Sequence, residues 1–125
     1  MSQVAEIEPN TVTREDVLAR AEELLPVVAE RSEKASEQRR LPEDNVRDFL
    51  DAGLFKILQP KRVGGYELDF GMLVDTGAMI SRACASSGWN VSNLASHHWM
   101  LGMWPKEAQD EVWGKNGETA DTLIC

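Results

Sequence analysis

Residues 41–60 read Leu41-Pro42-Glu43-Asp44-Asn45-Val46-Arg47-Asp48-Phe49-Leu50-Asp51-Ala52-Gly53-Leu54-Phe55-Lys56-Ile57-Leu58-Gln59-Pro60. Proline suits the first position of a helix, where its missing N–H costs nothing, and Glu43 and Asp44 then favour the positive end of the helix dipole. Val46, Phe49 and Leu50 recur at helical spacing and predict the buried side. Gly53 is placed to stop the helix as its C′ residue. Leu54-Phe55 and Ile57-Leu58 are then expected to be buried before Pro60 ends the segment. A short helix feeding an apolar run through glycine is the centre from which the rest of the chain is read.

Upstream, Thr13 and Asp16 have the spacing of a capping box. Behind them Val17, Ala21, Leu24 and Val28 form a helical stripe, widened by Leu18 and Leu25, and Pro26 is expected to kink the helix. Residues 30–40 are almost wholly polar and predict a solvated helical end. Residues 1–12 read as a flexible lead-in. Downstream, Val63-Gly64-Gly65-Tyr66 is a turn. It lacks the Lys-Ser/Thr ending of a phosphate-cradling loop. Asp69 is placed to cap a helix in which Phe70, Leu73, Val74, Gly77 and Ile80 form a stripe, while Gly77, Ala78, Ala83 and Ala85 allow a neighbouring helix close. Ser86 or Ser87 is expected to cap the next helix. Pro105 opens a last one as its first residue, with Val112 and Trp113 inward and Gly114 and Gly117 marking its end. Asp121 to Cys125 has the composition of an entering strand. The fold class expected is all-α.

The 125 residues suit one domain, and 42% apolar with 27% charged residues is ordinary for a globular protein. No apolar run approaches the ~18 residues of a membrane span. The first ten residues lack a basic region followed by an apolar stretch, so no secretory signal is read and a cytoplasmic location is expected. A net charge of −8 argues against nucleic acid. Cys84 and Cys125 make neither a disulfide framework nor a zinc site, and both are expected as free thiols.

The groups richest in chemistry lie from Ala85 to Pro105, which holds Trp89, Trp99, Trp104, His97 and His98. On a 3.6-residue repeat Asn90, Asn93, His97 and Trp104 share a face, whereas His98 points about 100° away. His97 can serve as a base, yet a lone helical histidine is more often a hydrogen-bonded structural one. The tryptophans can equally be core residues. His97 has no ligand partner at i±4, so no metal site is expected.

The residues Leu41-Pro42, Val46, Ala52-Gly53-Leu54-Phe55-Lys56-Ile57-Leu58-Gln59-Pro60 and Gly64-Gly65-Tyr66-Glu67 resemble the N-terminal helical domain of the acyl-CoA dehydrogenase superfamily. The segment Cys84-Ala85-Ser86-Ser87-Gly88-Trp89, with Ser96-His97-His98-Trp99-Met100-Leu101 and Trp104-Pro105, is similar to the oxygenase component of two-component, flavin-dependent aromatic monooxygenases. The resemblance covers roughly residues 15–125. It implies a parent of three parts: a helical domain (here residues 13–120), a middle β-domain whose first strand begins at residues 121–125, and a C-terminal four-helix bundle that forms a homotetramer.

The resemblance further implies that a flavin reductase supplies reduced FMN or FAD. A C4a-(hydro)peroxyflavin formed with molecular oxygen then hydroxylates a small phenolic, indolic or steroid-derived aromatic substrate. By the match Trp89 lies beside the flavin, Leu123, Ile124 and Cys125 contribute backbone to it, and His97 hydrogen-bonds or deprotonates the substrate hydroxyl. His98, Trp99 and Trp104 are assigned to packing. The fragment alone is expected to be inactive. An acyl-CoA dehydrogenase, or a helical interaction domain without chemistry, are the alternatives.

Overall fold

The structure, a computed structural model, describes residues 11–125; the expectation for the first ten residues lies outside them. Among the described residues the α-helices are α1 (Arg14–Glu30), α2 (Ser32–Gln38), α3 (Glu43–Asp51), α4 (Gly71–Ala83), α5 (Ala85–Gly102) and α6 (Lys106–Trp113), with a 3₁₀ turn at Lys61–Val63. The all-α expectation is met.

The capping box forms as read. Thr13 Oγ1 accepts the Asp16 N–H at 3.1 Å, and Asp16 Oδ2 accepts the Thr13 N–H at 2.9 Å. These bonds, the Thr13 backbone one foremost, hold the Asp16 carboxyl below its ordinary value. Helix α1 runs through exposed Pro26 to Glu30 and buries Val17, Ala21 and Val28. The polar stretch after it is helical and mostly exposed, as read, but it is interrupted. Arg31 breaks the helix (φ −89°, ψ 1°), and α2 follows and buries Ala35.

The proline expected at the first position of α3 sits one residue earlier, as the extended residue before the helix (φ −58°, ψ 142°). Pro105 precedes α6 in the same way (φ −57°, ψ 150°). In both cases ψ is extended, so the proline delivers the chain to the helix and the next residue starts it. Gly53 does stop α3, with φ +74°. Its N–H reaches Leu50 O and the Leu54 N–H reaches Phe49 O, both at 3.0 Å, the paired bonds of a Schellman motif. Leu54, Phe55, Ile57 and Leu58 then enter the core.

The Gly64-Gly65 turn folds back on this run. Tyr66 N–H donates to Lys56 O, Glu67 N–H to Gln59 O and Leu68 N–H to Ile57 O at 2.9–3.0 Å. The amides of Gly64 and Gly65 bond Lys61 O and Pro60 O. With its amides committed to its own chain, the turn offers no cradle to a phosphate.

Helices α4 and α5 form an antiparallel hairpin joined by Cys84 alone. Small residues set the crossing: a Cβ on Gly77 would strike Ser92 Oγ, and one on Gly88 would strike Ser81. Phe70, not the expected Asp69, stands at the cap position of α4; Asp69 lies one residue earlier, where its Oδ1 accepts the Gly71 N–H at 2.7 Å across the turn that leads into the helix. The expected α4 stripe is rotated too. Met72, Thr76, Gly77 and Ile80 are buried, while Phe70 and Val74 are exposed at 47% and 64%. Helix α1 packs on the inner side of α4 and pulls Met72 and Thr76 beneath it.

A polar node joins the layers. Arg31 Nη1 donates to Asn45 Oδ1 at 2.9 Å and pairs with Asp48 at 2.7 Å, and fully buried Asn45 reaches Ser87 Oγ at 3.3 Å. Residues 121–125 form no strand; they are a turn at Asp121 and irregular backbone thereafter. A strand needs an edge to pair with, and the described residues offer none.

Candidate functional site

Helix α5 carries no charged side chain from Ala85 to Gly102. Neither expected serine caps it. Cys84 is the extended residue before it (φ −159°), Ser87 turns inward to Asn45, and Ser86 Oγ lies 3.3 Å from Cys84 Sγ. Burial raises the Cys84 thiol, but the hydrogen bonds from Ser86 and Ser87 outweigh it and leave the thiol below its ordinary value.

The two sides of α5 differ sharply. Val91, Leu94, Ala95, His98 and Leu101 are buried. The other side presents Trp89 at 64%, Met100 at 39% and Met103 at 70% exposure. The assignment of Trp99 and Trp104 to packing is corrected here, since they are exposed at 38% and 56%. Trp99 only leans edge-on against Phe70, with ring centroids 5.0 Å apart. Trp113 is the one tryptophan fully inside.

His97 lies at the border of the open side, half-buried. Its Nδ1 is 2.6 Å from the Asn93 carbonyl oxygen, which also accepts the Ser96 hydroxyl at 2.7 Å. A carbonyl can only accept, so Nδ1 carries the proton and Nε2 keeps its lone pair. The imidazole is thereby oriented as a hydrogen-bond acceptor. Trp89 and His97, eight residues apart, are about 12 Å apart along the axis and about 80° apart around it at ~1.5 Å and ~100° per residue.

His98 is structural, as read: it is 2% exposed and stacked on Trp113 at 5.9 Å with a 7° interplanar angle. Burial first, then the charges of Lys56 and His97, press its pKa down to about 4. Of the residues assigned to the flavin, Leu123 and Cys125 are exposed and Ile124 packs on the small cluster of Val63, Leu101 and Trp113. The fold brings this segment to the buried side of α5, away from the side that carries Trp89. Sequence reasoning missed Asn45 and Gln59, both fully buried. A polar residue inside an apolar helical stripe was the available signal.

A cavity of about 540 Å³ lies elsewhere, among the polar side chains of Lys34, Gln38, Arg40, Glu43 and Asp44. It contains none of the predicted site residues, so the open side of α5 remains the better candidate. Among the described residues no three His, Cys, Asp or Glu side chains gather as a metal site, and no helix is long and apolar enough to cross a membrane.

Known proteins resemble this chain over most of its length. The chain is 34% identical over 99 residues to the flavin-dependent monooxygenase oxygenase subunit HsaA of Rhodococcus jostii, covering 79% of this chain and 26% of that one. It is 38% identical over 92 residues to the oxygenase component of an FADH(2)-dependent resorcinol hydroxylase of a Rhizobium species, covering 74% of this chain and 22% of that protein. The crystal structure of the HsaA monooxygenase from M. tuberculosis matches with a TM-score of 0.82 at 34% identity, over 87% of this chain and 29% of that chain. The chain thus spans about a quarter of the length of these relatives. The sequence model of the acyl-CoA dehydrogenase N-terminal domain matches residues 12–116, and the chain belongs to that family.

Proposed function

We propose that this chain is the N-terminal part of the oxygenase component of a cytoplasmic, flavin-dependent monooxygenase that hydroxylates a small aromatic substrate. The observation that carries this reading is the uncovered aromatic and thioether side of α5, with an oriented imidazole at its border. Exposed apolar area on this scale calls for a covering partner. A flat isoalloxazine ring and a further domain of the same polypeptide are such covers.

The residues present fit a flavin: Trp89 offers an indole face 64% open, and no hydrogen bond holds the backbone of Leu123, Ile124 or Cys125 among the described residues. In this reading Trp89 packs against the flavin from the open side of α5. Residues 123–125, held on the other side of that helix, begin a middle β-domain and contribute backbone to the flavin only where that domain carries the chain back toward it. Reduced flavin, FMN or FAD from a separate reductase, supplies the oxygen-inserting chemistry with molecular oxygen. His97 does the rest within this chain. Nε2 accepts the hydrogen bond, or the proton, of a phenolic hydroxyl and so raises electron density on the ring to be attacked. Trp99, Met100 and Met103 keep water from the pocket. Residues 13–120 act as the helical domain of a homotetramer.

The test supplies the full-length polypeptide with a flavin reductase, NADH and phenolic or indolic substrates, and measures hydroxylated product. Substrate-dependent hydroxylation that falls at least about a hundredfold in His97→Ala, the usual scale for a lost general base, is expected. Full activity in that variant would remove His97 from the mechanism. Reduction of bound flavin by an acyl-CoA would replace the monooxygenase reading with a dehydrogenase.

A further inference from the structure

We propose that the cleft between the end of α2 and the first turns of α5 is a binding site for a small organic carboxylate. The site stands apart from the monooxygenase reading and uses none of the residues assigned to it.

The cleft has a volume of about 290 Å³. Arg39 and Arg40 line it from the turn after α2, Ser36 from α2 itself, and Ser86 and Asn90 from α5. No aspartate or glutamate lines it, although the chain has 21 acidic residues against 13 basic ones. The neighbouring cavity of about 540 Å³ shares Arg40 but sets Glu43 and Asp44 against it and Lys34, so its charges balance. The smaller cleft has two cationic residues in its wall and no anion to match them.

Arg39 carries the argument further. It has a φ of +55°, and the other non-glycine residue with positive φ is Glu67 at +49°. Glu67 has a structural task there, since its Oε1 accepts the Lys61 N–H at 2.9 Å. Arg39 ends α2 as a left-handed cap with its N–H on Ser36 O at 3.3 Å, yet its side chain has no hydrogen bond or ion pair among the described residues. Glycine takes this conformation freely, whereas arginine is strained in it. An unpartnered cation thus stands on strained backbone at the wall of the cleft, which points to a task beyond capping the helix.

Arg40 is held by Glu43 at 3.2 Å, with both side chains largely exposed, a weak pair that another carboxylate can displace. Arginine presents a forked set of donors that matches the paired oxygens of a carboxylate or phosphate. The lining decides between them. Leu41 and buried Ala35 add apolar wall, which a hydrocarbon skeleton covers and a bare phosphate does not. Asn90 gives its amide to Ser86 O at 2.8 Å, which leaves Asn90 Oδ1 to accept from a ligand hydroxyl.

The test titrates the ¹⁵N-labelled 125-residue chain, without flavin, with sodium benzoate at constant ionic strength, and with inorganic phosphate in parallel. Saturable shifts of the Arg39, Arg40 and Asn90 signals are expected with benzoate at a Kd of about 1 mM, and binding of phosphate about tenfold weaker. Arg39→Gly should weaken benzoate about tenfold, the loss of one charge-assisted contact, and melt at or above the wild type because glycine relieves the backbone. Lys34→Gln removes the same charge from the neighbouring cavity and should leave the benzoate Kd unchanged. Shifts that do not saturate, or a Kd unmoved by Arg39→Gly, would overturn the site. Equal loss in Lys34→Gln would reduce it to a general charge effect, and equal affinity for phosphate would leave an adventitious ion only. A lower melting point in Arg39→Gly would assign the side chain to the α2 cap and overturn its place as a ligand group.

Discussion

Replacing Gly88 with alanine, beside the same change at Gly77, separates packing from helix propensity at the α4–α5 crossing. Both glycines sit inside helices, so each alanine gains about 1 kcal/mol from propensity alone. The surroundings decide the sign. At Gly88 the new Cβ would lie 2.8 Å from both the Cα and the Cβ of Ser81, and backbone cannot swing aside. The helices have to separate, and against backbone the cost falls in the upper part of the usual overpacking range, about 2–3 kcal/mol, leaving a net loss of about 1–2. At Gly77 the one tight neighbour is the Ser92 hydroxyl oxygen, which can rotate, while Ser92 Cβ at 3.5 Å and Gly88 O at 3.9 Å are ordinary contacts. Gly77→Ala should therefore be neutral or more stable by up to about 1 kcal/mol. Urea unfolding followed by tryptophan fluorescence measures both, and Gly88→Ala should melt about 5–10 °C lower. A Gly88→Ala variant as stable as wild type, or a Gly77→Ala variant that is the more damaged of the two, refutes the account of the crossing.

Stability should fall on acidification through His98. Its native value of about 4 lies below the ordinary 6.5, so the unfolded chain takes up a proton that the folded one refuses. The neutral ring's contribution is complete above pH 6.5 and is lost as the pH falls to 4, about 3 kcal/mol at ~1.4 per pH unit. Urea midpoints should show this slope in the wild type and lose it in His98→Gln; equal slopes would exclude His98 as its source. Asn45→Ala should cost about 1–3 kcal/mol by stranding Ser87 and half of the Arg31 fork, as read by chemical denaturation. A loss below about 0.5 would mean that the node is solvated. Gly53→Ala should cost more than 1 kcal/mol, because φ +74° is strained for alanine and the Tyr66 ring occupies the Cβ position. Thermal melts of that variant, compared with Tyr66→Phe/Gly53→Ala, show whether relieving the hydroxyl recovers part of it.

Local rules made much of this fold legible. The Thr13–Asp16 box, the Gly53 stop and the core run from Leu54 to Leu58 all follow from residue types at short range, and all are found. What escaped was set at long range. The rotation of α4 depends on where α1 lies, and an apolar stripe counted along the sequence cannot say which of Phe70, Met72 and Val74 a distant helix will cover. Cys84 stands before α5 because the hairpin turns there, not because thiols favour the position. The site was half legible. His97 is separable from His98 by the 100° step, and the structure puts His97 at the border of the open side and His98 in the core. The exposure of Trp99 and Trp104 was not, since periodicity identifies a face but not whether anything in the same chain covers it.

The joint between α4 and α5 bears on how the chain reaches this fold. A connection of one residue loses almost no loop-closure entropy, and contacts such as Gly88 with Ser81 span few residues. Helix α1 has to wait for a partner more than forty residues downstream, with Arg14 finding Asp75 only then. The hairpin is therefore the nucleus and α1 the late arrival: substitutions at the crossing should slow folding, whereas those in the α1 stripe should mainly hasten unfolding. On a ribosome, α1 would be made well before the hairpin onto which it docks.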